Sequence, residues 1–368
     1  MGISSSLGSS ALLPAGLGFR NMVTNGNFAI DQRNAGAAQS GKTTDFYAVD
    51  RFVCSVNASG NFTGQQVALS TLSGTQPAGF TYALGCTAAS GRTAAAGDVY
   101  GLRHRIEGFN SAQLSWGTAN AKPATLSFWV RSSVTGTYNV GFFNASANRS
   151  FVTSYTINTA NTWEYETILI PGDTSGTWGI GNGVGVEIFW DLGTGSTYNA
   201  STLNTWTAGI FVTSAASIKW IATASATFYV TGVQLEQNYQ ATPFEQRPIG
   251  VELALCQRYY EKSYEQGVAI GSNNINGLVL GQSSTAGDLY WYFQIEYRVT
   301  KRTKDVTATF WNSTGATSSW SWGRSGSSGN TTPSIQYSSD NWLQIYIFGN
   351  AAWVPMQAIG HYAVSAEL

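Results

Sequence analysis

The sequence predicts an all-β protein: an antiparallel jelly-roll β-sandwich followed by a short helix and a smaller C-terminal β domain. Three observations predict it. Only 11% of the 368 residues are charged, against about 25% in an average soluble domain. Polarity comes instead from 40 Ser, 39 Thr and 24 Asn, set among 41 Gly, a mixture that suits pleated strands joined by tight turns. The chain is also 43% hydrophobic and 13% aromatic. That is enough apolar surface for a packed core, and it lacks the bulk Ala, Glu, Lys, Leu and Arg of a helical bundle.

Taken in order, residues 1–20 read as a flexible polar arm with small apolar beads at Leu7, Leu12, Leu13 and Leu17, of the kind that either stays disordered or orders against a partner. Residues 21–247 form the sandwich, with strands expected at 46–56, 66–72, 81–88, 99–106, 124–132, 136–143, 162–170, 185–190, 218–221 and 227–235. The run Leu126-Ser127-Phe128-Trp129-Val130-Arg131 alternates with the period of a strand that buries one face. About ten such strands without helical periodicity between them indicate a jelly roll. Over 249–263 the period changes: Ile249, Leu253, Cys256 and Tyr260 recur on one face of a short helix within a linker at 248–263. Pro248 suits its first turn. A helix this short needs a partner surface, so these four residues are the candidate self-association surface, which the resemblance given below makes a trimer interface. Residues 264–368 return to strands, at 267–270, 276–280, 289–299, 307–311, 334–337, 343–348 and 362–366, with a Ser/Gly loop at 325–329.

Composition removes several chemistries. A net charge of −1 gives no basic field for a phosphate backbone, so nucleic-acid binding is excluded as a general activity. The short cluster Arg298, Lys301, Arg302 and Lys304 reads as a solvated strand end. No run of 18 apolar residues occurs, so no membrane insertion is expected. The first 18 residues do not have the pattern of a signal peptide. Cys54, Cys86 and Cys256 contain no CxxC; free thiols are expected, with a Cys54–Cys86 bridge as the alternative. Two histidines, His104 and His361, are scant material for zinc sites or hydrolase triads, and His104 reads as structural. Glu164 and Glu166 share a strand face opposite Trp163 and Tyr165, the pattern of a solvated strand face rather than a catalytic pair. What stands out is aromatic supply: Trp311, Trp320, Trp322, Tyr337 and Trp342 crowd a Ser/Gly/Asn-rich stretch. Aromatic faces beside short polar side chains bind sugars and epitopes with little charge, so these five are the candidate receptor- or glycan-binding residues.

Several strings carry a resemblance. They are Asn25-Gly26-Asn27-Phe28, Asp31-Gln32-Arg33, Asp50-Arg51-Phe52, the Leu126–Ser132 run, Gly232-Val233-Gln234-Leu235-Glu236 and Ala241-Thr242-Pro243-Phe244-Glu245-Gln246-Arg247-Pro248. The helix string Glu252–Tyr260 and the terminal Ala366-Glu367-Leu368 complete the set. Together they resemble tail-fibre and virion-fibre proteins of tailed bacteriophages whose ectodomain is a carbohydrate-binding-module-like jelly roll. The resemblance implies a homotrimeric, non-enzymatic virion protein that attaches to a bacterial surface glycan or protein, with the N-terminal arm seated on a tail or capsid protein. The usual layout has a long shaft before the jelly roll, whereas residues 1–20 read as an arm alone, so a short fibre seated directly on the tail or head is expected as readily as a distal tip. Two rivals stand beside this expectation: a head-fibre or capsid decoration protein without a receptor, and a surface-glycan depolymerase. No cofactor or metal is assigned; a structural calcium, which jelly rolls of this type often carry, would draw on Asn27, Asp50 and Glu236.

Overall fold

Side-chain alternation decides which face of each strand is buried. In Ala124–Ser132, Leu126, Phe128 and Val130 enter the core while Trp129 and Arg131 stand on the opposite face. The computed structural model describes residues 19–58, 62–283, 290–324, 327–348 and 356–368. The expected arm over 1–20 therefore lies outside the described residues except for Phe19 and Arg20.

Among the described residues, twelve strands make the sandwich. They are β1 (Phe46–Val49), β2 (Phe52–Val56), β3 (Phe62–Ala68), β4 (Tyr82–Ala88), β5 (Tyr100–Glu107), β6 (Ala124–Ser132), β7 (Gly136–Phe143), β8 (Arg149–Ile157), β9 (Glu164–Ile170), β10 (Val184–Asp191), β11 (Trp206–Ala208) and β12 (Thr227–Glu236). One sheet runs β1-β2-β5-β10-β7-β8-β11 and the other β3-β4-β12-β6-β9, and every pairing is antiparallel. Phe52, Phe128, Trp190, Trp220 and Phe228 fill the space between them. The Phe128 and Trp190 rings meet edge to face at 5.8 Å, an arrangement that aromatic quadrupoles favour. This is the jelly-roll class that the sequence predicts.

Four local expectations are corrected. The single strand expected at 46–56 is two, because Arg51 adopts a left-handed φ of 72° and turns the chain between β1 and β2. Residues 218–221 are not a strand; Trp220–Ala222 is one 3-10 turn. The hydroxyl-rich β8 is a strand that the sequence pattern does not predict, since Ser and Thr dilute its apolar alternation. The Ser/Gly loop expected at 325–329 is largely strand: β17 (Trp320–Arg324) pairs with β18 (Ser327–Thr331).

Besides the four-residue α1 (Gly108–Ser111), the described helix is α2 (Ile249–Gln257). Pro248 caps it rather than lying within it: its carbonyl accepts from the Val251 and Glu252 amides. The helix ends six residues earlier than expected, and Tyr260 belongs to β13 (Tyr260–Lys262). The candidate trimer stripe is thereby split. Cys256 and Tyr260 are buried within the chain, whereas Ile249 is exposed and Leu253 half-buried. The inward face of α2 carries the buried Glu252, which accepts from the Asn25 amide and pairs with Arg247. Helical spacing located the stripe, but this carboxylate anchor fixed the rotation.

The remaining strands are β14 (Val279–Ser283), β15 (Tyr290–Glu296), β16 (Thr307–Trp311), β19 (Ser334–Ser338), β20 (Trp342–Phe348) and β21 (Met356–Ser365). Strand β21 is the hub, pairing with β13, β14, β16 and β17. A separate three-stranded sheet, β15-β20-β19, lies against it through Trp291, Phe293, Ile295, Leu343, Ile345 and Ile347. The chain then returns to the sandwich. Glu367 bonds Arg33 at 2.7 Å and also Arg51, and Arg105 donates to the Leu368 carbonyl. Burial pushes the Glu367 carboxyl up, but Arg51 and Arg33 outweigh it and hold it below the usual carboxylate range.

The basic cluster is also corrected. Lys301 is not solvated: its ammonium and the Glu261 carboxylate are both fully buried and bonded to each other.

Candidate functional site

The outer face of the five-stranded sheet holds an aromatic groove, and strand register builds it. In β9, Ile168 and Ile170 point into the sandwich, so Tyr165 and Leu169 point out. Register places Tyr165 directly opposite Trp129 of β6, with ring centroids 5.1 Å apart. Trp129 in turn lies opposite Thr231 of β12. The β12 ladder slips between Thr231 and Gln234, where Gly232 has a φ of 64°. A Cβ there would lie 2.7 Å from the Phe80 ring and 3.2 Å from Trp129. Glycine at this bulge lets both rings close over the strand.

The segment Pro243–Gln246 forms the far wall. Phe244 meets Phe80 edge to face at 5.0 Å, and Gln246 holds its position by donating to the Gly79 carbonyl at 3.0 Å. The resulting groove has a volume of about 510 Å³ and is lined by Phe80, Trp129, Tyr165, Thr242, Phe244 and Gln246 among others. That lies within the range of small-ligand sites. The other half of the sheet face is roofed. Arg131 clamps the loop after β3 by donating to the Ser73 carbonyl at 2.8 Å and its hydroxyl at 3.2 Å. Trp163 donates its indole N–H to Gln76 at 2.8 Å. The roof leaves Tyr165 and Trp129 at an open edge, where Tyr165 is 45% exposed.

The five candidate tip aromatics divide between two sides of the C-terminal sheets. Trp320 is fully buried: its indole lies against Gly360, meets Phe310 edge to face and Phe293 at a tilt, and donates to the His361 carbonyl at 3.1 Å. Trp311 is buried beside Tyr264. Neither can contact a ligand, because each plugs the space between β21 and its neighbours. Trp322 is half-buried and packs on the same cluster. Tyr337 is exposed and Trp342 half-buried. These two stand on the outer face of the three-stranded sheet.

The remaining polar candidates serve the fold. His104 is buried against Phe52, with ring centroids 4.5 Å apart, and burial lowers its pKa well below the usual histidine value. His361 lies between the Ser263 hydroxyl and the Asn274 carbonyl, stacked on Tyr264. Asp50 bonds neither arginine nearby; its oxygens accept from the Gln32 amide at 3.1 Å and the Gln32 side chain at 2.5 Å. Glu236 accepts from Thr242, and Asn27 from the Ala29 amide. Among the described residues no group of three or more His, Cys, Asp or Glu could hold a metal ion. Cys54 and Cys86 are both buried and unbridged, with sulfurs 4.0 Å apart.

The groove went unread in the sequence because its parts lie at 80, 129, 165, 232 and 244. The alternation of Trp163 and Tyr165 with Glu164 and Glu166 is the usable signal, but the exposed side is that of Tyr165, and the two glutamates expected to be solvated are half-buried.

No family model and no curated protein matches the chain. Among solved structures it is similar to the enzymatically active domain of bacteriophage CBA120 tailspike protein 4, at 10% identity and a TM-score of 0.29 over 60% of this chain. The similarity spans 22% of that tailspike's length. It is also similar to TmCBM61 in complex with β-1,4-galactotriose, at 10% identity and a TM-score of 0.29, covering 60% of this chain and 99% of that one. The family 11 carbohydrate-binding module of the cellulase Lic26A-Cel5E of Clostridium thermocellum matches at 13% identity and a TM-score of 0.27, covering 56% and 99%.

Proposed function

We propose that this chain is a non-enzymatic glycan-binding protein of a bacteriophage virion fibre, acting in host-surface attachment as a homotrimer. The observation that carries the glycan part is the groove: a cross-strand Trp129–Tyr165 pair with Phe80 and Phe244 opposite, and the Thr242 and Gln246 side chains on its rim. Aromatic faces take the CH faces of a sugar ring, and hydroxyl and amide groups meet its hydroxyls. The fibre part rests on the sequence strings. For the trimer, Ile249 and Leu253 remain as the outward half of the helix stripe.

Isothermal titration with neutral hexasaccharides (β-1,3- and β-1,4-glucan, β-1,4-galactan, α-1,4-glucan) tests the binding. Tyr165→Ala removes an exposed ring, so the fold should stay intact while affinity falls about tenfold or more, the equivalent of about 1.4 kcal/mol. Trp129→Ala should do at least as much. An oligosaccharide that binds equally to wild type and both variants refutes the groove. Light scattering that shows a monomer at micromolar concentration refutes the trimer.

Cleavage is the second reading, and one observation favours it. Burial and the neighbouring Glu164 push the Glu166 carboxyl up to about 7, the range that suits a general acid, although Glu166 shares the inward parity of Ile168 and Ile170, on the face away from the groove. Against it, Glu164 is occupied by the Asn158 and Thr159 amides. Release of reducing ends that disappears in Glu166→Gln would establish cleavage.

A further inference from the structure

The outer face of the three-stranded sheet β15-β20-β19 has a composition that folding does not require. Along β15, Trp291, Phe293 and Ile295 are buried and Tyr290, Tyr292, Gln294 and Glu296 exposed. Along β20, Leu343, Ile345 and Ile347 are buried, while Trp342, Gln344, Tyr346 and Phe348 face outward. Register sets Tyr290 opposite Phe348, Tyr292 opposite Tyr346, Gln294 opposite Gln344 and Glu296 opposite Trp342. Tyr337 lies opposite Gln344 on β19 and shares its face. The rings form one strip: Tyr290 is 5.6 Å from both Tyr346 and Phe348, and Tyr292 is 6.2 Å from Tyr346. Beside it, Gln294 donates to Glu296, which orients an amide and a carboxylate in the plane of the face.

We propose that this face is a second glycan-binding site, independent of the groove, and that it takes a neutral oligosaccharide laid across the strands. Chemistry selects the ligand. Six outward aromatics supply stacking surface, and two glutamines with one glutamate supply hydrogen bonds. The three strands contain no Lys or Arg, so nothing on them would neutralise an acidic sugar. Size selects against a protein partner. Two strands of seven residues and one of five, about 4.8 Å apart and at about 3.4 Å per residue, present about 310 Å². A stable protein interface needs about 800 Å² per partner, whereas exposed patches of about 300–600 Å² on single chains are often functional. The inference goes beyond the proposed function in assigning each chain two sites.

Titration stoichiometry with the same four neutral hexasaccharides tests it. Wild type should bind two equivalents of at least one of them. Tyr292→Ala/Tyr346→Ala should bind one, as should Tyr165→Ala/Trp129→Ala, and the four-fold variant none. Melting of the tip variant should match wild type, because both tyrosines lie outside the core. A single equivalent lost only in the groove variant overturns this site and leaves the groove standing; a single equivalent lost only in the tip variant upholds this site and removes the groove. No binding by wild type overturns both. A tip variant that changes the sedimentation coefficient while keeping two equivalents marks the face as a contact between copies and overturns the proposal.

Discussion

Replacing Lys301 by Met tests whether a buried charge ties the C-terminal sheets to the helix. The Lys301 ammonium donates to the Gln257 carbonyl at the end of α2, to the Val299 carbonyl at 3.2 Å and to Glu261 on β13. Both side chains are fully buried. Burial lowers the Lys301 pKa below the usual lysine value, and Glu261 acts in the opposite direction. Lys301→Met would leave the Glu261 carboxylate buried without its cation. Breaking a buried pair from one side costs about 3–5 kcal/mol. Glu261 keeps two donors, the Tyr362 hydroxyl at 2.9 Å and the Arg298 amide at 3.1 Å, which places the expected loss at the lower end, about 3 kcal/mol.

The double variant Lys301→Met/Glu261→Gln removes both charges and keeps an acceptor for Tyr362. Replacing a whole buried pair is close to neutral, so it should recover most of the loss and give a coupling energy of about 2 kcal/mol. Guanidinium unfolding followed by tryptophan fluorescence measures all four members of the cycle. A single-variant loss below about 1 kcal/mol, or a double variant equal to the sum of the singles, would refute the reasoning.

Further outcomes follow from other buried groups. Burial pushes the Asp50 carboxyl up to about 7 from 3.8; the folded state then holds a proton that the unfolded state releases, so this group's contribution is present below about 4 and lost as pH rises to about 7. Relative to Asp50→Asn, wild type should therefore lose stability across that window at up to about 1.4 kcal/mol per pH unit, and a parallel pH profile for the two proteins would sink the assignment. The comparison must be made against this variant because buried His104, with its lowered pKa, contributes the opposite slope below 6.5. Trp320→Ala should cost about 3–5 kcal/mol, and scanning calorimetry that shows no change would return Trp320 to the surface. Cys54, Cys86 and Cys256 are all buried; a thiol reagent should find none in the native protein and three after unfolding, and fewer than three would reveal a bridge.

The sandwich was legible where one face of a strand is apolar and the other is not, as in β6 and β7, whose bounds the alternation locates to the residue. It failed where the two faces are chemically alike. In Tyr290-Trp291-Tyr292-Phe293 every side chain is aromatic, and only the tail Gln294-Ile295-Glu296 reveals which parity is wet. The same tail was available in the sequence and would have exchanged Trp311 and Trp320 for Tyr290, Tyr292, Tyr346 and Phe348. Lys301 was unreadable for a different reason. A lysine reads as solvated unless its partner is known, and Glu261 lies 40 residues away, on β13, while Lys301 lies in the connection between β15 and β16. Groove and ion pair alike are products of topology, which local periodicity does not contain.

The two aromatic faces sit on sheets that share no strand, so their relation depends on the junction between the sandwich and the C-terminal sheets. Among the described residues that junction is rich in charged side chains. Arg258 grips Glu107 through two bonds of 2.6 and 2.9 Å, and the Tyr259 hydroxyl reaches the same carboxylate at 2.6 Å. Arg302 donates to the Ala366, Glu367 and Asn182 carbonyls. Arg51 and Arg33 lie over the Tyr259 and Tyr260 rings, 3.6 and 3.7 Å from their centroids, while holding Glu367. A seam of directional bonds fixes orientation more tightly than an oily contact of equal area, because each guanidinium fork admits few geometries. On the proposed function this matters for strength. Sites built on stacking with little charge are individually weak, and two of them gain from each other only through an effective concentration set by what connects them. A flexible linker dilutes that gain with every added residue, whereas a bonded seam holds it constant. The charge that is sparse on both aromatic faces, where Glu296 is the exception on the tip sheet, is concentrated where it can keep them in register.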